Sequence, residues 1–159
     1  MNIEIGQKAP SFKLYDTDKK EHSLEDCKGH NVVLLFFPFA FTSVCTREMC
    51  QMRDEYSMYN DMDAIIFGLS VDSLFTLKKW KEEHNLQFTL LSDFNKEASK
   101  AYDSLYDTWT YGYHGVSKRA SFVIDKNGIL RYMEILPVAG DYPNIEAIKE
   151  TLKLLRAEN

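Results

Sequence analysis

Cysteine is scarce in this chain: Cys27, Cys45 and Cys50 are the three present among 159 residues. An odd number this small excludes a disulfide framework and points to a reducing compartment. A basic excess is also missing. Nineteen Lys and Arg stand against 24 Asp and Glu, a net charge of -5, which argues against a nucleic-acid partner gripped through its phosphates. No long hydrophobic run occurs. Val32 to Phe41 is the longest and Pro38 interrupts it, about half of the roughly 18 residues a membrane span needs. Met1 to Pro10 has no basic stretch leading into an apolar one, so no secretory signal is expected. His22, His30, His84 and His114 have no ligand spacing with the cysteines, and no glycine-rich phosphate loop follows a strand. No metal, nucleotide or other cofactor is expected. The composition reads as a soluble cytoplasmic protein.

What is present suffices for a core. At 45% hydrophobic and 13% aromatic residues, a chain of this length can bury roughly 70% of its unfolded surface. No internal repeat, low-complexity tract or linker divides it, so residues 1–159 are read as a single domain.

The hydrophobic pattern changes period along the chain. Ser11 to Tyr15 and the charged turn Asp16 to Lys20 open a small hairpin. Val32 to Phe37 and Ala64 to Val71 are continuous apolar runs, as in strands buried on both faces. Between them, Cys45, Met49, Met52, Tyr56 and Tyr59 follow one helical stripe. Asp72 or Ser73 caps a helix through Leu77, Trp80 and Lys81, Phe88 to Leu91 is a strand, and Lys96 to Tyr102 a short helix. Ser104 to Ser117 shows no period and reads as a loop. Ala120 to Asp125 and Ile129 to Ile135 flank the turn Asp125-Lys126-Asn127-Gly128, a hairpin signal. Ile145, Ile148, Leu152 and Leu155 mark a closing helix. Together these predict a three-layer α/β/α domain with a mixed central sheet and an N-terminal hairpin.

The segment Phe36 to Cys50 carries the chemistry. A buried strand ends at Pro38, and with Thr42 as N-cap, Cys45 falls in the first turn of the following helix. Free N–H groups and the positive end of the helix dipole favour an anion there. The nucleophilic form of cysteine is the thiolate. A second reading stands beside this one: Cys45 shares its stripe with Met49 and Met52, and a free cysteine is often a small core hydrophobe.

Pro38, Thr42 and Cys45 match, with every interval kept, the Pro-x-x-x-Thr/Ser-x-x-Cys motif of the peroxiredoxins. Ser70-Val71-Asp72-Ser73 with Trp80, Leu90 to Asp93, and Arg119 to Asp125 resemble further elements of that family. The resemblance covers nearly the whole chain. It implies a thioredoxin-like fold and a thiol-dependent peroxidase acting on hydrogen peroxide and organic hydroperoxides. Cys45 would attack the peroxide and become a sulfenic acid. Arg119 would stabilise the sulfur and bind the peroxide, Thr42 would orient it, Pro38 would shield the sulfur, and Glu48 would support Arg119.

Cys50 lies five residues after Cys45, about 8–9 Å away across a regular helix and beyond the ~7 Å a disulfide can bridge. This spacing resembles the bacterioferritin-comigratory type, in which such a cysteine resolves the sulfenic acid after the helix unwinds. A thioredoxin- or glutaredoxin-like protein then reduces the disulfide. Phe39-Ala40-Phe41-Thr42 instead resembles the one-cysteine E-type enzymes, which use an external thiol. Both readings stay open, as does a redox sensor or relay. A thioredoxin-type oxidoreductase would carry Cys-x-x-Cys, which this chain lacks. Cys27, among acidic neighbours, is assigned a structural or incidental role. Arg47 and Arg131 are read as solvated charges. The Tyr106 to Gly115 segment is either a homodimer patch or a cover over the core.

Overall fold

The computed structural model describes residues 3–158; Met1, Asn2 and Asn159, at the ends of the 1–159 span, lie outside the described residues. Lys13–Asp16 (β1) and Glu21–Ser23 (β2) form the N-terminal hairpin, with Leu14 opposite His22. Asp16 closes its turn by accepting from the N–H groups of Asp18 and Lys20. Asn31–Phe36 (β3) is buried along its whole length. Its continuous apolar sequence follows from its place: it pairs in parallel with Ala64–Ser70 (β4) and antiparallel with Arg119–Ile124 (β8).

Thr89–Ser92 (β5) adds in parallel to β4, and Leu130–Leu136 (β9) adds antiparallel to β8. The central sheet is therefore mixed, in the order β2-β1-β5-β4-β3-β8-β9. Gly128, at φ +80°, makes the tight β8–β9 turn that a side chain with a β-carbon disfavours.

Period-2 alternation splits the core into two layers. Val33, Leu35 and Phe37 face the helices Ser43–Asp54 (α1), Tyr56–Asp61 (α2), Leu74–His84 (α3) and Ile145–Ala157 (α5). Val32, Leu34 and Phe36 face Glu97–Ala101 (α4), the N-terminal segment and the 3-10 turn Glu25–Cys27. This is the predicted thioredoxin-like α/β/α arrangement. Ser73 caps α3, accepting from the Thr76 N–H at 3.2 Å. Among the described residues, no helix is long and apolar enough to cross a membrane.

Two expectations change. The Cys45-to-Tyr59 stripe is not one helix: Glu55, at φ -103° and ψ 10°, separates α1 from α2. The stripe survives because Met49, Met52 and Tyr59 still bury against the sheet. The segment read as a loop contains Leu105–Trp109 (β6) and Tyr113–Ser117 (β7), a separate antiparallel pair. Its two strands mix exposed, half-buried and buried residues without period-2 order, so no alternation marks them in the sequence. Within Tyr106 to Gly115, read as a homodimer patch or a cover over the core, no residue is buried; the buried residues Ser104, Val116 and Ser117 flank it.

Candidate active site

The loop between β3 and α1 is tied down before any chemistry is considered. The Phe37 N–H bonds the Leu69 carbonyl at 3.0 Å, continuing the sheet by one residue. Pro38 follows, buried and with no N–H to donate, so pairing stops there. The Ala40 N–H then donates to Asp72 Oδ2 at 2.8 Å, and Ser70 Oγ donates to the same oxygen at 2.7 Å. Burial raises the Asp72 carboxyl above its ordinary range, although these two donors oppose the shift. Phe41 sits at φ +68°, a left-handed conformation that is strained for a bulky residue. Its ring stacks toward Trp80 at 6.4 Å.

Thr42 occupies the N-cap position of α1, with its carbonyl accepting from the Thr46 N–H at 2.9 Å. Its side chain does not cap the helix. The hydroxyl donates instead to the Phe39 carbonyl at 2.7 Å, which commits its single proton and leaves lone pairs to accept.

Cys45, in the first turn, is 0% exposed. Arg119 reaches it from the start of β8, across 74 positions of sequence, with Nη2 donating to Sγ at 3.2 Å. The same guanidinium donates from Nη1 to Glu48 Oε1 at 2.8 Å and from Nε to the Ala139 carbonyl at 3.0 Å. Cys45 and Glu48 lie three apart on α1 and so share a face, and one planar fork engages both. Burial works against the Arg119 charge, but Cys45 and Glu48 outweigh it and the guanidinium ends above its ordinary pKa. Glu48 is fully buried, with Oε2 unpartnered. Burial pushes its carboxyl up to about 7, against the pull of Arg119.

A stability signature follows from Glu48. Its native pKa lies above the unfolded value, so its contribution is full below the ordinary carboxylate range and fades as pH rises through about 7. Urea midpoints measured from about pH 5 to about pH 9 should therefore fall for the wild type relative to Glu48→Gln. A Cys45→Ser background in both proteins removes the sulfur's own titration. A difference that is flat, or of opposite sign, contradicts this assignment.

The remaining candidates separate. Cys50 is half-buried on another face of α1, with Sγ 3.9 Å from His84 Nδ1. Cys27 is buried in the 3-10 turn and donates to the Ser23 carbonyl at 3.5 Å. Burial, and then Asp26, raises its thiol pKa. Arg47 and Arg131 are not simply solvated. Arg47 stacks 3.9 Å over the Tyr142 ring, and Arg131 bridges Asp125 and Glu158. Among the described residues, no group of three His, Cys, Asp or Glu side chains could hold a metal ion.

The part that several residues play in the site escaped the sequence reading, although Asp72 and Trp80 were themselves named in it. Asp72 anchors the loop, the Ala139 carbonyl orients Arg119, and Trp80 Nε1 donates to Thr46 Oγ1 at 3.3 Å. Tyr142 bonds Gln51 through its hydroxyl and also reaches the Arg47 carbonyl at 3.4 Å. None of these carries a local spacing signal.

Similarity to known proteins follows the same lines. The AhpC/TSA family matches residues 5–133. Peroxiredoxin Bcp of Bacillus subtilis is 41% identical over 132 residues, 82% of this chain and 83% of that protein. The mitochondrial thioredoxin-dependent peroxide reductase of Drosophila melanogaster is 35% identical over 165 residues, 98% of this chain and 67% of that protein. The reduced 2-Cys peroxiredoxin of Plasmodium vivax superposes with a TM-score of 0.88 at 28% identity, covering 99% of this chain and 84% of that one. With a thiol at a helix start, an arginine fork upon it and these relatives, the chain belongs to the AhpC/TSA family, the peroxiredoxins, and matches its bacterioferritin-comigratory type.

Proposed function

We propose that this chain, as one domain in a reducing cytoplasm, is a thiol-dependent peroxidase whose peroxidatic group is Cys45. The observation that carries this reading is the Arg119 guanidinium on Cys45 Sγ at 3.2 Å, held from behind by Glu48 and Ala139. A permanent cation beside the sulfur favours the thiolate, and the remaining N–H donors of the guanidinium can bind a peroxide. The Thr42 oxygen, its own proton given to Phe39, accepts from the peroxide O–H. The thiolate attacks one peroxide oxygen: an S–O bond forms, the O–O bond breaks, and the leaving oxygen departs as water or an alcohol. Pro38 limits water at the sulfur by its burial.

Cys50 then resolves the sulfenic acid. Both cysteines lie in α1, which is unbroken from Ser43 to Asp54, so the first turns must unwind before the sulfurs meet. The absence of a side-chain cap at Thr42 lowers the cost of that unwinding. The Cys50 sulfur displaces the sulfenic oxygen as water, and a thioredoxin- or glutaredoxin-like dithiol returns the two electrons. The exposed aromatics Tyr111, Tyr113 and Phe41, beside Phe39 and Trp109, supply a surface for organic hydroperoxides and for a second copy of the chain.

Two measurements test the reading. Purified protein with thioredoxin, thioredoxin reductase and NADPH should consume hydrogen peroxide and cumene hydroperoxide; insulin reduction without peroxide consumption would favour a thioredoxin-type role. After one equivalent of peroxide, the intact mass should fall by about two units through the internal disulfide. Cys50→Ser should instead retain the sulfenic acid. The same sulfenic or mixed-disulfide adduct in both proteins would assign resolution to an external thiol.

A further inference from the structure

We propose that His84 is the base that prepares Cys50 for resolution. The inference rests on the reading of Cys50 as the resolving thiol. Cys50 lies at the edge of α1, and its Sγ is 3.9 Å from Nδ1 of His84, the last residue of α3. Among the described residues, no other imidazole makes a hydrogen bond with a cysteine. The histidine is held in place from three sides. Its carbonyl accepts from Arg53 Nη1 at 2.7 Å, its ring meets Trp80 edge-on at 6.2 Å, and the left-handed Asn85 ends the helix directly after it. Gln87 adds a second tie across the same groove, donating to the Arg53 carbonyl at 3.1 Å.

The charges around the pair suit a proton transfer. His84 sits at the C-terminal end of α3, where the helix dipole is negative. Arg53, three residues after Cys50 on α1 and so on a neighbouring face of it, is paired with Asp54 at 3.0 Å. A neutral imidazole protonated on Nε2 presents its Nδ1 lone pair to the thiol. While α1 is still wound, the Cys50 proton passes to Nδ1 and the sulfur becomes a thiolate. When the helix loosens, this thiolate attacks the Cys45 sulfenic sulfur. The S–S bond forms, the S–O bond breaks, and the departing hydroxide takes up one proton to leave as water. The stoichiometry is one sulfenic acid and one thiol to one disulfide and one water.

Two readouts test His84 independently of its fold contribution. The first uses reduced Cys45→Ser protein, in which Cys50 is the half-exposed thiol, and follows its alkylation by iodoacetamide at neutral pH by mass. His84→Ala should slow it about tenfold or more, since an unassisted cysteine is only a few per cent thiolate there, and added imidazole should restore the rate. The second follows disulfide formation after one equivalent of peroxide in protein with all cysteines. His84→Ala should slow it about 10²-fold while Cys45 oxidation is unchanged, again with recovery by imidazole. His84→Gln keeps the bulk against Trp80 and should behave as His84→Ala without rescue. For His84→Ala, an alkylation rate equal to that of the His84 protein, or a slowed rate that imidazole does not restore, overturns the inference and leaves the peroxidase reading standing. A wild type that never forms the Cys45–Cys50 disulfide overturns the resolving reading, and the role of His84 with it.

Discussion

Arg119→Ala is expected to slow oxidation of Cys45 by hydrogen peroxide by about 10²–10³-fold, the usual effect of losing a donor aimed at developing charge. The variant loses three contacts at once: the sulfur, Glu48 and the Ala139 carbonyl. It also strands a fully buried carboxyl. Removing one partner of a buried pair costs about 3–5 kcal/mol when the other stays charged. Glu48 has another course, because burial has already raised its pKa to about 7. Without Arg119, which pulls that value down, the carboxyl keeps its proton to still higher pH, so the loss of stability should be small in mild acid and grow above neutrality. Arg119→Lys keeps the charge but not the planar fork, and should recover part of the stability and little of the rate. Stopped-flow oxidation with urea melts at two pH values reads both effects. A rate within threefold of wild type would remove Arg119 from the chemistry.

Trp80→Ala should be the most destabilising single truncation in the helical layer, at about 3–5 kcal/mol for an aromatic-to-alanine change in a packed core. Trp80 is fully buried, its ring lies 5.1 Å from Phe37 and 6.4 Å from Phe41, and its Nε1 donates to Thr46. It therefore packs the two ends of the active-site loop and the first turn of α1 together. Without it, the left-handed Phe41 loses the contact that holds it. Peroxide oxidation should slow as well, because a misplacement of about 1 Å can cost on the order of 10²-fold. A chemical-denaturation shift below about 1 kcal/mol would show that the loop is held by Asp72 alone.

The sequence made the scaffold legible wherever burial is uniform or periodic. The runs in β3 and β4 are continuous because helices or segments cover both faces, and α5 shows its stripe because only one face is buried. The β6–β7 pair was illegible for the converse reason: Asp107, Thr108, Tyr113 and His114 are exposed, and of the two strands Val116 and Ser117 alone are buried. The break at Glu55 left the hydrophobic stripe intact and so gave no sign of itself.

Within the site, Pro38, Thr42 and Cys45 stand out because their spacing is local. Arg119, 74 residues away, entered only through family resemblance. Thr42 illustrates the limit of local reasoning. Its position at the helix start follows from the chain, but the choice of the Phe39 carbonyl over the helix N–H groups is made by the turn of the loop. Asp72, Ala139, Tyr142 and His84 act across 20 to 91 residues, distances at which one sequence carries no pairing signal.

The most direct test of Cys45 as the peroxidatic residue is stopped-flow oxidation of reduced wild type and Cys45→Ser by hydrogen peroxide, with dimedone trapping and peptide mapping. Wild type should react rapidly, and in a Cys50→Ser background the adduct should map to Cys45 alone. Cys45→Ser should show no rapid phase and no adduct there. Peroxide reduction by Cys45→Ser at the wild-type rate, or an adduct that maps to Cys27, would contradict the account at its centre.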